Sequence, residues 1–112
     1  MEHKRKLTSQ EKNLINLLIT KSKISFPDDW DKNLSVIPMQ DGKMGSLYLI
    51  PNNIINRERK FGKQISDIQF NDLDGIEVIA SLNLDEEGEL FELDMWKTNY
   101  SKLIAIPIDL FT

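Results

Sequence analysis

The 112 residues contain no cysteine and a single histidine, His3. Without thiols there are no disulfides, no thiol nucleophile and no Cys-ligated metal. One histidine, placed in a tail five residues before the first helix signal at Thr8, rules out a Ser-His-Asp triad and any multi-histidine metal site. Long apolar runs are also missing. The longest, Leu14 to Ile19, is interrupted by Asn16, and a membrane helix needs about 18 apolar residues or more. The basic start Met1-Glu2-His3-Lys4-Arg5-Lys6 is not followed by an apolar stretch, so no secretory signal is expected and the reading is cytoplasmic. In that compartment the triplets Asn33-Leu34-Ser35 and Asn99-Tyr100-Ser101 carry no weight as glycosylation sites. Neither G-x-x-x-x-G-K-[ST] nor G-x-G-x-x-G occurs, so a phosphate cradle has no support.

What is present suits one small domain spanning 1–112. A hydrophobic share of 40% can fill a single modest core, and 29% charge is ordinary. The net charge of −4 hides an asymmetry: residues 1–63 carry twelve Lys/Arg against seven Asp/Glu, residues 64–112 two against eleven. An acidic second half predicts one negative face, which disfavours nucleic acid and favours a basic protein partner. The alternative is that the two halves neutralise each other within the fold.

Thr8-Ser9-Gln10-Glu11 has the form of a capping box, and Leu14, Ile15, Leu17, Leu18 and Ile19 lay an apolar stripe behind it. A helix is predicted over 8–22, preceded by a mobile tail at 1–6. Phe26-Pro27-Asp28-Asp29-Trp30 reads as a turn or short helix, with Trp30 as a lid on the core. From Leu34 the period becomes two. Residues 34–50 form a first hairpin across Asp41-Gly42, with Pro38 at an edge or bulge. Residues 54–64 are basic and aperiodic and read as a loop, with a helical turn around Asn56 to Lys60. A three-stranded meander follows over 65–96, punctuated at Asp74-Gly75 and at Asp85-Glu86-Glu87-Gly88. A three-residue turn at 73–75 places Ile68 opposite Ala80 and Phe70 opposite Val78. A four-residue turn at 85–88 places Leu82 opposite Phe91, Ala80 opposite Leu93 and Val78 opposite Met95. Both registers bury one face of the central strand. The fold class is therefore α+β: an N-terminal helix packed on a mainly antiparallel sheet of about five strands built from consecutive hairpins.

By alternation the other face carries Asp67, Gln69 and Asn71, then Glu77, Ile79, Ser81 and Asn83, then Leu90, Glu92, Asp94 and Trp96. Carboxylates are the only abundant catalytic group. Glu92 and Asp94 beside Glu77 have the makings of a Mg²⁺ site or an acid/base pair; the plainer reading is a solvated acidic face. Asp72-Leu73-Asp74-Gly75 lacks the later ligands of a calcium loop and reads as a turn. Trp96, in register with Glu77, is either an interface anchor ringed by carboxylates or is covered by the segment 103–110. The basic cluster Arg57, Arg59, Lys60 and Lys63 around Phe61 is a weak nucleic-acid signal and better suits pairing with the chain's own carboxylates.

Met44-Gly45-Ser46-Leu47, Arg59-Lys60-Phe61-Gly62-Lys63, Phe70-Asn71-Asp72-Leu73-Asp74-Gly75, Val78-Ile79-Ala80-Ser81-Leu82-Asn83 and Gly88 to Lys97 resemble a family of small uncharacterised bacterial proteins. Such proteins look like the immunity proteins of contact-dependent growth inhibition and other polymorphic toxin systems. That resemblance implies a cytoplasmic, non-enzymatic inhibitor with no cofactor or metal, whose partner is a cognate and basic toxin domain. Neither nucleic acid nor membrane is expected as a partner. The contacts expected are Glu77, Glu92, Asp94 and Trp96, with Asp67 at the margin. A housekeeping or regulatory protein-binding module is the alternative, and a carboxylate metal-dependent hydrolase the third reading.

Overall fold

A computed structural model describes residues 3–51 and 58–110. Arg57 and the start of the helical turn read at Asn56 to Lys60 lie outside the described residues. The order of elements is α1 (Ser9–Ser22), β1 (Leu34–Pro38), β2 (Leu47–Pro51), β3 (Phe61–Asn71), β4 (Glu77–Asp85) and β5 (Leu90–Lys97). The strands form one antiparallel five-stranded sheet in the order β1-β2-β5-β4-β3. The α+β class is as expected. One junction departs from consecutive hairpins: the chain leaves β2 near one edge and re-enters as β3 at the opposite edge, so that β5 fills the position beside β2.

The helix starts where the capping box places it. Thr8 Oγ1 accepts the Glu11 amide at 3.1 Å, and Glu11 Oε1 accepts the Thr8 amide at 2.9 Å. Arg5 donates to both Glu11 oxygens, at 2.8 and 2.9 Å, and its backbone forms a bridge with Val36 on the outer edge of β1. The tail is therefore tied down at Arg5. Burial alone would raise the Glu11 carboxyl, but Arg5 and the Thr8 amide hold it below its ordinary value. Leu14, Ile15, Leu18 and Ile19 are buried against Val78, Ala80, Leu82, Leu93 and Met95, and Trp30 packs over this core as a lid.

The β3–β4 register is the expected one, with Ile68 opposite Ala80 and Phe70 opposite Val78. The β4–β5 register is corrected by two residues: Leu82 faces Leu93, Ala80 faces Met95 and Val78 faces Lys97. Two single-residue effects add up here. The Asp85 amide bonds the Glu89 carbonyl, which leaves a three-residue loop rather than four, with Gly88 left-handed at φ 86°. A bulge next to Asn83 and Leu84 then slips the pairing by one more residue around Phe91. Past the bulge the net slip of two preserves the alternation, so Glu92, Asp94 and Trp96 keep the expected face; before it the slip is one, which corrects Leu90 from the open face to the core, where it is buried opposite Leu84. Strand β3 starts at Phe61, four residues earlier than expected, because irregularities between Phe61 and Lys63 and between Gln64 and Ser66 break its period of two.

Lys97 lies at the end of β5 on the core side, in phase with Leu93 and Met95, and is fully buried. Its ammonium donates to Asp72 Oδ2 at 2.8 Å, Asp74 Oδ2 at 2.7 Å and the Lys102 carbonyl at 3.0 Å. Those three acceptors match its three N–H bonds. Asp72 is filled as well: it also accepts the amides of Leu73 at 2.8 Å, Ile104 at 2.8 Å and Ala105 at 3.1 Å. Burial by itself would raise the Asp72 carboxyl; the bonds from Lys97 and these amides outweigh it and bring it from 3.8 to about 2. On Lys97, burial is likewise outweighed by the two carboxylates, which raise it above its ordinary value.

Two outcomes follow for this cluster. Asp72→Ala strips the acceptor from a buried ammonium and three amides, and is expected to cost about 3–5 kcal/mol in urea unfolding. Because the Asp72 carboxyl is depressed, its contribution is complete above its unfolded value near 3.8 and is lost as pH falls toward about 2. The raised Lys97 is lost only in strong alkali. Stability measured between pH 4 and 2 should therefore fall more steeply for the wild type than for Asp72→Asn. A third outcome concerns Gly62: a Cβ there would stand 2.2 Å from the Asp85 carbonyl oxygen, so Gly62→Ala should cost about 2 kcal/mol or more.

Candidate functional site: the open face of the sheet

One side of the sheet is covered. The helix lies over β3 and β4, and the C-terminal segment, through Leu103, Ile106 and Leu110, packs against the same core. Leu103 comes within 3.0 Å of the Cβ position of Gly45, whose φ of 104° suits only glycine, and Leu103 thereby closes the gap above Met95. The segment 103–110 therefore lies on the core side and leaves Trp96 uncovered. Trp96 is 42% exposed, and its ring stands 6.1 Å from that of Tyr100, tilted by 57°.

The pairing turns the open side into rows of side chains. Tyr48, Glu92, Asn83 and Gln64 form one row across β2, β5, β4 and β3. Asp94, Ser81 and Asp67 form the next, and Trp96, Ile79 and Gln69 the one after. Glu77 stands opposite Asn71 at the far end. The expected contacts thus share one face, with one correction: Trp96 is level with Ile79, and Glu77 is one row further on, where its carbonyl accepts the Thr98 amide at 2.9 Å. Along these rows the ionised side chains are Glu77, Glu92, Asp94 and Asp67, all acidic. Asp67 is the least available of them, since Lys21 reaches round the edge strand to its carbonyl and stands 4.0 Å from its carboxylate.

Several other carboxylates and cations hold the fold. Asp85 accepts Arg59 Nε at 2.9 Å and the amides of Glu87 and Glu89. Arg59 also donates to the carbonyls of Leu49 at 2.7 Å and of Leu90, with its guanidinium 5.0 Å over the Phe91 ring. Arg59 thus pairs internally, as read from the sequence, and joins the ends of β2 and β5. Asp41 accepts the Met44 and Ser46 amides at 3.1 and 3.0 Å, while Ser46 Oγ accepts the Met95 amide at 2.8 Å. Among the described residues no group of three or more His, Asp or Glu side chains could hold a metal ion, so Glu77, Glu92 and Asp94 are not gathered into one. A cleft of about 500 Å³ beside the helix C-terminus is lined by Thr20, Lys23, Phe26, Asp28 and Trp30 among others, and it brings together no pair of carboxylates.

Two features of the open face were not singled out from sequence. Tyr48, 44% exposed, joins it only because β2 pairs with β5, which sets it opposite Glu92, 44 residues further along the chain. Asn83 is on the face by alternation, but its burial, at 6% exposed, depends on its cross-strand neighbours.

The fold is thus a one-helix, one-sheet α+β domain with an acidic, aromatic open face. A family model described as a domain of unknown function (DUF6984) matches residues 4–107, and the chain belongs to that family. No curated protein and no solved structure matches the chain. Among the described residues no helix is long and apolar enough to cross a membrane.

The surroundings of Trp96 predict a charge-selective quenching experiment. In a Trp30→Phe background, caesium should quench the remaining fluorescence more strongly than iodide. Replacing Glu92 and Asp94 by Gln and Asn should remove that difference.

Proposed function

We propose that this protein is an immunity-type inhibitor that binds a basic protein, the toxic domain of a bacterial competition system, through the open face of its sheet. The observation that carries the reading is Trp96, left uncovered on a sheet face whose ionised side chains are Glu77, Glu92 and Asp94, with Asp67 at the edge. A large aromatic ringed by charge is a good anchor, because the ring supplies buried area and the rim excludes water. A negative face speeds capture of a positive partner, which matters for an inhibitor that must intercept an incoming toxin. The same face imitates the phosphates that a basic nuclease cleft is built to receive. No chemistry on the partner is required; occlusion is sufficient. The resemblance noted in the sequence points the same way, and the reading places the protein in the cytoplasm, where such a toxin acts.

Co-expression with a cognate toxin domain should give a stable complex and restore growth. Glu92→Lys with Asp94→Lys should weaken that complex by about 100-fold or more, mostly through slower association, while the protein, having lost the bonds from Asn83 and Ser46, stays folded at a lower melting temperature. Undiminished affinity in the double variant would remove the acidic face from the mechanism. Absence of both complex and rescue would favour a housekeeping protein-binding module instead.

A further inference from the structure

Trp96 and Tyr100 stand side by side at one end of the open face, 42% and 71% exposed, with ring centroids 6.1 Å apart and planes tilted by 57°. Rings so tilted and so exposed are not closed into a stack, and their faces keep the negative potential of an aromatic quadrupole. Tyr100 is held there in a left-handed conformation, φ 63°, that a bulky side chain rarely adopts. The loop fixes it: the Tyr100 amide bonds the Lys97 carbonyl at 2.8 Å, and Asn99 Oδ1 accepts the next amide, that of Ser101, at 3.1 Å. Asp94 is two residues back from Trp96 on the same strand face, about 7 Å along it, and is exposed. Ser46 Oγ donates to one of its oxygens at 3.4 Å. Glu77 is the diagonal neighbour of Trp96 on β4.

The fold shows elsewhere what such a grouping receives. Arg59 lies 5.0 Å over the Phe91 ring and donates to Asp85 at 2.9 Å, a cation seated between a ring and a carboxylate. At Trp96 the rings and the carboxylates are in place, yet among the described residues no cation of the chain stands over either ring or pairs with Asp94. We propose that the notch between Trp96 and Tyr100 receives a basic side chain of the protein partner, its cation against the aromatic faces and its charge answered by Asp94, with Glu77 at the rim. The inference rests on the reading of the open face as the docking surface, and it names what that surface takes hold of. A guanidinium fits best, since its plane stacks on an indole while its fork reaches a carboxylate beside the ring. Trp96, Tyr100 and Asp94 are all exposed, so a side chain can reach them from outside the protein.

The test is an NMR titration of the ¹⁵N-labelled full chain with N-acetyl-arginine amide at constant ionic strength, read at the indole N–H signals. The Trp96 signal should move and the Trp30 signal stay in place. N-acetyl-citrulline amide, which has the shape without the charge, should move Trp96 several-fold less. Tyr100→Gly and Asp94→Asn should each diminish the response. Glycine accepts a φ of 63° without strain, so Tyr100→Gly should melt no lower than the wild type while losing the response. A Trp96 signal that stays still, that responds equally to both amides, or that is unaffected by both substitutions would overturn the proposal. In the complex with a cognate toxin domain, Tyr100→Gly should speed dissociation about tenfold, the scale of one desolvated cation–π contact. Unaltered dissociation, with the Glu92→Lys, Asp94→Lys variant still weakened, would overturn the notch and leave the docking face standing. A Trp96 response to arginine without any toxin complex would keep the notch and overturn the immunity reading.

Discussion

The ion pair between Lys97 and Asp72 is the constraint on which the other parts depend. Lys97 ends β5, Asp72 opens the β3–β4 turn, and the amides of Ile104 and Ala105 bond to the same carboxylate. One buried cluster therefore fixes the relative position of two strands and the return of the C-terminal segment. Two charges out of water are tolerable only when every donor and acceptor is used, and here Lys97 meets three acceptors while Asp72 meets four donors. Once pinned at Asp72, the segment 103–110 has to lie on the core side, where Leu103, Ile106 and Leu110 find apolar surface. The opposite face stays open as a consequence.

Two smaller joints complete the frame. Arg59 with Asp85 secures the far ends of β2, β4 and β5, and Ser46 with Met95 secures the start of β2. Arg59, Ser46, Asp72, Asp74 and Lys97 each hold backbone in place through hydrogen bonds. The scaffold positions a surface, and the surface consists of Glu77, Ile79, Ser81, Asn83, Glu92, Asp94 and Trp96 with Tyr48 beside them.

Much of this was legible in the sequence because it is local. Thr8 and Glu11 announce the helix start, and the period of two assigns Val78, Ala80, Leu82, Leu93 and Met95 to one face. What was not legible is long-range or depends on a single added residue. The bulge near Phe91 has no glycine or proline to mark it, and the bulges in β3 disguised residues 61–64 as a loop. The pairing of β2 with β5 brought Tyr48 to the face without any local sign. Lys97 could have been found, since it continues the phase of Leu93 and Met95; a lysine in that phase asks for a buried carboxylate, and Asp72 is the one it meets.

The central claim is that the open face, rather than the helix or the cleft beside it, is the surface that meets the partner. Amide hydrogen exchange of the protein, alone and with the proposed partner, a basic toxin domain, tests this most directly. The account predicts added protection centred on β5 and β4 and extending to β2 around Tyr48, with α1 and residues 24–30 unchanged. Protection confined to α1 and residues 24–30, with β4 and β5 unaltered, would contradict it.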